Sequence, residues 1–183
     1  SKHNIIMLEQ FCVSVIVPFY NAESHIKTCF DILLKQDFTK RFEIIMVDDA
    51  STDNSRNIVR MHNLPGLELY SLPSNSGPAA ARNLGLKKAK GEYIYFLDVD
   101  DTIAPNILTT LYSIADETAC DLVFCDKKWI ENSKHSDEFK SIICGHYIFS
   151  DTKFRDSKEE AKLILYKKGI KLDKFLKEKI KLN

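Results

Sequence analysis

The sequence has no net charge: 26 Lys/Arg balance 26 Asp/Glu. Nothing global therefore points to nucleic acid as a partner. No run reaches about 18 apolar residues, so no membrane-spanning helix is expected. The first residues lack the pattern of a signal peptide. The five cysteines are odd in number, and no pair is spaced C-x-x-C. Neither a disulfide framework nor a zinc site is expected, and a reducing, cytoplasmic setting suits them. Cys12, Cys125 and Cys144 sit inside apolar runs, where a free thiol behaves as a small hydrophobe. No internal repeat or low-complexity segment is present.

What is there is a chain of 183 residues, 44% hydrophobic and 28% charged, enough for one domain with a substantial core. Its first two-thirds alternate short apolar runs with helix-like stretches. Strands are expected at 11–18, 42–47, 67–72, 92–97 and 121–125. Helices are expected at 22–36, 51–62, 77–90 and 104–115. Strands alternating with helices of this length imply βαβ units and a mostly parallel, Rossmann-like sheet flanked by helices. Beyond residue 126 the pattern weakens: a polar loop at 127–141, one more strand within 142–149, then one or two amphipathic helices broken near Gly169. The helical reading there rests on the capping-box spacing of Ser157 to Glu160. Residues 151–183 carry 11 Lys/Arg against 6 Asp/Glu. This basic, apolar tail suits a packed helix with a solvated lysine face, or alternatively a peripheral contact with an anionic membrane surface.

Parallel sheets of this kind bind ligands beyond the carboxyl ends of their strands. Polar residues follow all four of the first strands: "PFYN" from Pro18, "DDAS" from Asp48, "PSNSGP" from Pro73 and "DVDD" from Asp98. Asp98 and Asp100 project to one side of an extended chain, and two converging carboxylates suit a hard divalent cation, Mg²⁺ or Mn²⁺. The plainer alternative is an acidic turn before the next helix. Asp48 or Asp49 can accept from a base N–H or a ribose hydroxyl, or simply begin a helix. Gly77 and the small residues after it allow close backbone approach, and Arg82 can grip phosphate oxygens or sit idle on a packing helix. Tyr20 can stack on a base or line the rim of the sheet. Taken together, these groups match the needs of a nucleotide diphosphate with its cation.

The segments "VSVIVPFYN", "IIMVDDASTDNS" and "NSGPAAARNLGLKKAKGEYIYFLDVDD" closely resemble family 2 glycosyltransferases with the GT-A fold, over about residues 11 to 126. The resemblance implies a lead-in at 1–10, a nucleotide-sugar-binding core at 11–126 and a partial acceptor-side region at 127–183. It implies transfer of a sugar from a nucleotide-diphosphate donor, usually UDP-linked, to a hydroxyl of a glycan or lipid-linked saccharide, with inversion. The donor would meet Pro18, Tyr20, Asp48, Gly77, Arg82, Asp98 and Val99. Asp48 would accept from the base, and Asp100 with Asp98 would hold Mn²⁺ or Mg²⁺. The family's catalytic base comes from a later acidic motif, often "ED", and no such pair follows residue 101. Asp137, Glu138, Asp151 and Asp156 do not fit that motif, so no base is assigned. Such transferases also run longer than 183 residues, so a piece of a longer transferase is expected, with a donor-binding module lacking catalysis as the alternative.

"FLDVDDT" also fits the D-x-D-x-T signature of haloacid-dehalogenase-type phosphatases, with Asp98 as nucleophile. That chemistry needs a later acid, commonly in a "GD" context, and the chain has no such dipeptide. A sugar-1-phosphate nucleotidyltransferase would carry a glycine-rich basic loop after the first strand, where this chain has "PFYNAES". Both are less favoured.

Overall fold

The computed structural model describes residues 10–119, 122–126, 143–145 and 161–168. The chain runs β1 (Val13–Phe19), α1 (Ile26–Leu34), β2 (Phe42–Asp48), α2 (Ser55–Met61), β3 (Leu67–Ser71), α3 (Pro78–Lys88), β4 (Tyr93–Phe96), α4 (Ile107–Thr118), β5 (Leu122–Asp126), β6 (Ile143–Gly145) and β7 (Ala161–Lys167). Among the described residues these strands make one seven-stranded sheet, ordered β3-β2-β1-β4-β7-β5-β6. The pairs β3–β2, β2–β1 and β1–β4 are parallel, with Val13 opposite Phe42 and Tyr93. The pairs made by β7 and β6 are antiparallel.

Every residue of β1 is buried, as a central parallel strand covered on both faces requires. The two faces can be told apart by residue parity. Val13, Val15, Val17, Ile44, Met46, Tyr93 and Tyr95 share a core with Ile26, Phe30 and Leu33 of α1 and with Ile107, Leu108 and Leu111 of α4. The opposite face carries Ile16 and Val47, and α3 lies on it through Gly85. A Cβ at position 85 would fall 2.4 Å from Cγ2 of Ile16, so only glycine lets the helix settle that deep.

The sheet contains one buried polar stitch. Ser14 Oγ donates to Glu43 Oε1 at 2.6 Å across the β1–β2 pair, and accepts from the Gly91 N–H at 2.8 Å. The Lys90 N–H also donates to Glu43 Oε1. These bonds satisfy two polar side chains that would otherwise be costly to bury, and they clamp the turn between α3 and β4. Burial pushes the Cys29 thiol up to about 12, so it serves as core and not as a nucleophile.

Residues 161–167 correct the expectation of a helix there. They form β7, which fills the slot between β4 and β5, with Tyr93 opposite Lys167 and Leu122 opposite Tyr166. The run Leu163-Ile164-Leu165-Tyr166 is four consecutive apolar residues, a strand-interior pattern, and long-range pairing overrides the local helix propensity. The short strand expected within 142–149 is present as β6. The polar loop at 127–141 and the remainder of the C-terminal helices lie outside the described residues.

Asp48 closes β2 and is fully buried. Its Oδ1 accepts from the Ser51 N–H at 2.9 Å, and its Oδ2 takes the Arg56 guanidinium, with Nη2 at 2.6 Å. Burial alone would raise its pKa, but the hydrogen bonds from Ser51 and the charge of Arg56 outweigh that and hold it below the usual carboxylate range. A depressed folded-state pKa means the stabilisation is present above the unfolded value of about 4 and is lost as pH falls below it. Asp48→Asn should therefore lower stability at neutral pH and flatten the acid limb of the stability profile. Urea titrations of both proteins from pH 7 down to pH 3 check this. Gly85→Ala should cost about 1–3 kcal/mol by overpacking against Ile16, read from the same titrations at pH 7.

Candidate functional site

The strand order reverses at β1, which has β2 on one side and β4 on the other. Parallel sheets open a crevice at that point, beyond the strands' carboxyl ends. Here the crevice is a cleft of about 300 Å³. Pro18, Phe19 and Tyr20 reach it from β1, Asp49 from β2, Pro78 and Arg82 from α3, and Asp98, Val99 and Asp100 from β4.

Tyr20 is 46% exposed, a large ring presented to solvent between buried Phe19 and Ala22. Its backbone is fixed by the next residue. Asn21 takes a left-handed conformation, φ 47°, and serves as a hub between the loops after β1 and β2. Its N–H donates to Ser51 Oγ at 2.9 Å, and its Oδ1 accepts from the N–H groups of Thr52 and Asp53. The Ala22 N–H donates to Ser55 Oγ at 2.8 Å. These bonds tie the loops after β1 and β2 to each other beside Tyr20.

Asp49 is held from two directions. Its N–H donates to the Phe19 carbonyl at 2.9 Å, next to Tyr20. Its two carboxylate oxygens accept from the N–H groups of Ser76 and Gly77, at 2.7 and 2.8 Å, just ahead of α3. Each oxygen retains a lone pair that can take a further donor from the cleft. The Leu97 N–H joins Ile16 O at 3.0 Å, and the Asp101 N–H closes a turn onto Asp98 O. That turn presents Asp98, partly buried, and Asp100, exposed. Arg82 Nη2 donates to Asp98 Oδ1 at 2.7 Å.

The structure thus brings Pro18, Tyr20, Arg82, Asp98, Val99 and Asp100 to one cleft. It does not bring Asp48, whose oxygens are taken by Ser51 and Arg56 on the face covered by α2. Gly77 is not among the residues lining the cleft, and its N–H is given to Asp49. Of the two carboxylates at the end of β2, the one carried over from the family is Asp48, and the one lining the cleft is Asp49. Strand parity carried the signal, because Asp48 shares a face with Ile44 and Met46 of the core.

Three carboxylates line the cleft against one guanidinium. Added positive charge would therefore strengthen the hold on an anionic diphosphate there. Among the described residues no group of three or more His, Cys, Asp or Glu can hold a metal. Asp98 and Asp100 are too few to cage a cation but suit one that takes its remaining ligands from a diphosphate and water, as Mg²⁺ and Mn²⁺ do.

Comparison with known proteins agrees with this geometry. The sequence model of the family described as Glycosyl transferase family 2 matches residues 14–175. An uncharacterized glycosyltransferase of Escherichia coli, YibD, is 39% identical over 119 residues, covering 64% of this chain and 34% of that protein. The poly(ribitol-phosphate) beta-N-acetylglucosaminyltransferase TarS of Staphylococcus aureus is 41% identical over 120 residues, 64% of this chain and 21% of TarS. The chain thus spans about a fifth to a third of the length of these relatives. The solved structure of TarS 1–349 with UDP-GlcNAc superposes at a TM-score of 0.60 with 40% identity, covering 63% of this chain and 34% of that one. The mannosyltransferase PcManGT from Pyrobaculum calidifontis, solved with GDP-Man and Mn²⁺, gives 0.59 with 30% identity over 66% of this chain and 36% of that one. On its fold, its cleft and these matches, the chain belongs to glycosyltransferase family 2, with the GT-A fold.

Proposed function

We propose that this chain binds a nucleotide-diphosphate sugar, UDP-linked, and forms the donor half of an inverting glycosyltransferase. The acceptor is a hydroxyl of a glycan or lipid-linked saccharide, as in polysaccharide biosynthesis. The observation that carries the reading is the single cleft shared by Tyr20, Asp49, Arg82, Asp98 and Asp100. TarS with UDP-GlcNAc supports the uridine donor, and PcManGT with Mn²⁺ supports a divalent cation.

In this reading Tyr20 stacks on the base, with Pro18 beside it. Asp49, in place of Asp48, accepts the base N–H, because it lines the cleft and each of its oxygens keeps a lone pair beyond its bond to Ser76 or Gly77. Asp48 acts one step back, pinning the loop that Asn21 ties to Tyr20. Val99 backs the donor from the β4 turn, Arg82 meets the diphosphate, and Asp98 and Asp100 hold Mn²⁺ or Mg²⁺. A cation held there neutralises charge on the departing diphosphate. The chain's own residues orient the donor. Residues 11–126 form the donor core, and 127–183 belong to the acceptor side. Asp137, Glu138, Asp151 and Asp156 lie outside the described residues, and no base is proposed among them. Among the described residues no helix is long and apolar enough to cross a membrane. The cytoplasmic setting is part of this proposal, with a peripheral membrane contact through the basic tail as the alternative to a packed tail.

A thermal-shift panel of nucleotides with and without Mn²⁺ tests it. UDP with Mn²⁺ at about 100 times the dissociation constant should raise Tm by roughly 5–10 °C. Asp100→Ala should remove the Mn²⁺-dependent part of that rise while leaving the ligand-free Tm within about 2 °C, since the side chain is exposed. No shift with any nucleoside diphosphate, with or without metal, in folded protein would overturn the reading.

A further inference from the structure

Arg82, the one cationic residue among those lining the cleft, is 8% exposed. Its Nη2 donates to Asp98 Oδ1 at 2.7 Å. Its Nε is buried and finds no acceptor among the described residues. A buried guanidinium donor without an acceptor is costly, and such groups in native structures call for an explanation. Asp98, with its side chain 29% exposed, is the residue expected to share a cation with Asp100. It cannot give its full charge to a cation while it neutralises Arg82, and Arg82 itself repels a cation placed beside it.

We propose that Arg82 gates the cation site, and the inference rests on the reading that the cleft takes a nucleotide diphosphate with a divalent cation. With the cleft empty, the guanidinium holds Asp98 and disfavours a cation. A diphosphate offers Arg82 new acceptors, including one for the orphaned Nε, and draws the guanidinium off Asp98. The released carboxylate then joins Asp100 as a ligand. Diphosphate and cation therefore bind with positive cooperativity carried by one side chain, and by linkage each tightens the other equally. A nucleoside without phosphates does not release Asp98. The device keeps a bare cation from occupying the site ahead of the donor.

The test is Mn²⁺ affinity, read from the electron paramagnetic resonance signal of free Mn²⁺, for the full chain without nucleotide, with uridine and with UDP. Wild type should bind Mn²⁺ weakly alone and with uridine, and at least about tenfold more tightly with saturating UDP. Arg82→Met should bind Mn²⁺ alone about tenfold more tightly than wild type and gain little more from UDP. Arg82→Lys, which keeps the charge, should stay as weak as wild type without nucleotide. A merely structural role for Arg82 would not increase Mn²⁺ affinity on its removal. If wild type binds UDP with Mn²⁺ but Arg82→Met alone binds Mn²⁺ no better, the gate is wrong while the functional reading stands. If uridine tightens Mn²⁺ as much as UDP does in wild type, the gate is wrong without recourse to any variant. If wild type binds neither nucleotide nor Mn²⁺, the functional reading itself fails and the gate with it.

Discussion

Helix α3 lies on β1 at a depth that only a glycine permits, with Gly85 over Ile16, and the cleft depends on that contact. One turn earlier on the same helix face, Arg82 reaches across to Asp98 at the end of β4. At the start of the helix, the N–H groups of Ser76 and Gly77 hold Asp49 at the end of β2. A single close approach therefore sets the distance between the Asp49 end and the Arg82–Asp98 end of the cleft. A helix held a few tenths of an ångström further out would move both ends together, because Asp49 and Arg82 are positioned by the same element.

The charges follow from this placement. The fold gathers the carboxylates of Asp49, Asp98 and Asp100 around one buried guanidinium, an arrangement that suits an anion and a cation bound together better than either alone. Asp49 is partly quenched by two backbone N–H groups, and Asp98 by Arg82. Asp100 alone of the three is exposed. In the string of aspartates that a phosphatase would use for nucleophilic attack, the first member is here ion-paired to Arg82 of α3.

Much of this was legible from the chain. The apolar runs ending in Pro18, Asp48 and Asp98 marked strand ends, and their polar followers marked the cleft. Three things were not. Strand β7 follows a capping-box signal and is flanked by lysines, and its partners lie far away in sequence, so its short apolar run does not by itself distinguish a strand from a helix. The choice between Asp48 and Asp49 turned on which face of β2 each occupies, a question that parity answers only once the helix covering each face is known. The Arg82–Asp98 pair joins residues 16 positions apart on separate elements, and neither residue's neighbourhood announces the other.

The central claim is that the ends of β1, β2 and β4 hold a nucleotide diphosphate, with Asp49 at its base and Asp100 at its cation. A crystal structure of this chain with UDP and Mn²⁺ tests it most directly. The account predicts the uracil against Tyr20 with its N–H on an Asp49 oxygen, and Mn²⁺ between Asp100 and the diphosphate. A uracil bound to Asp48, or a nucleotide seated away from the β1–β4 cleft, would contradict it.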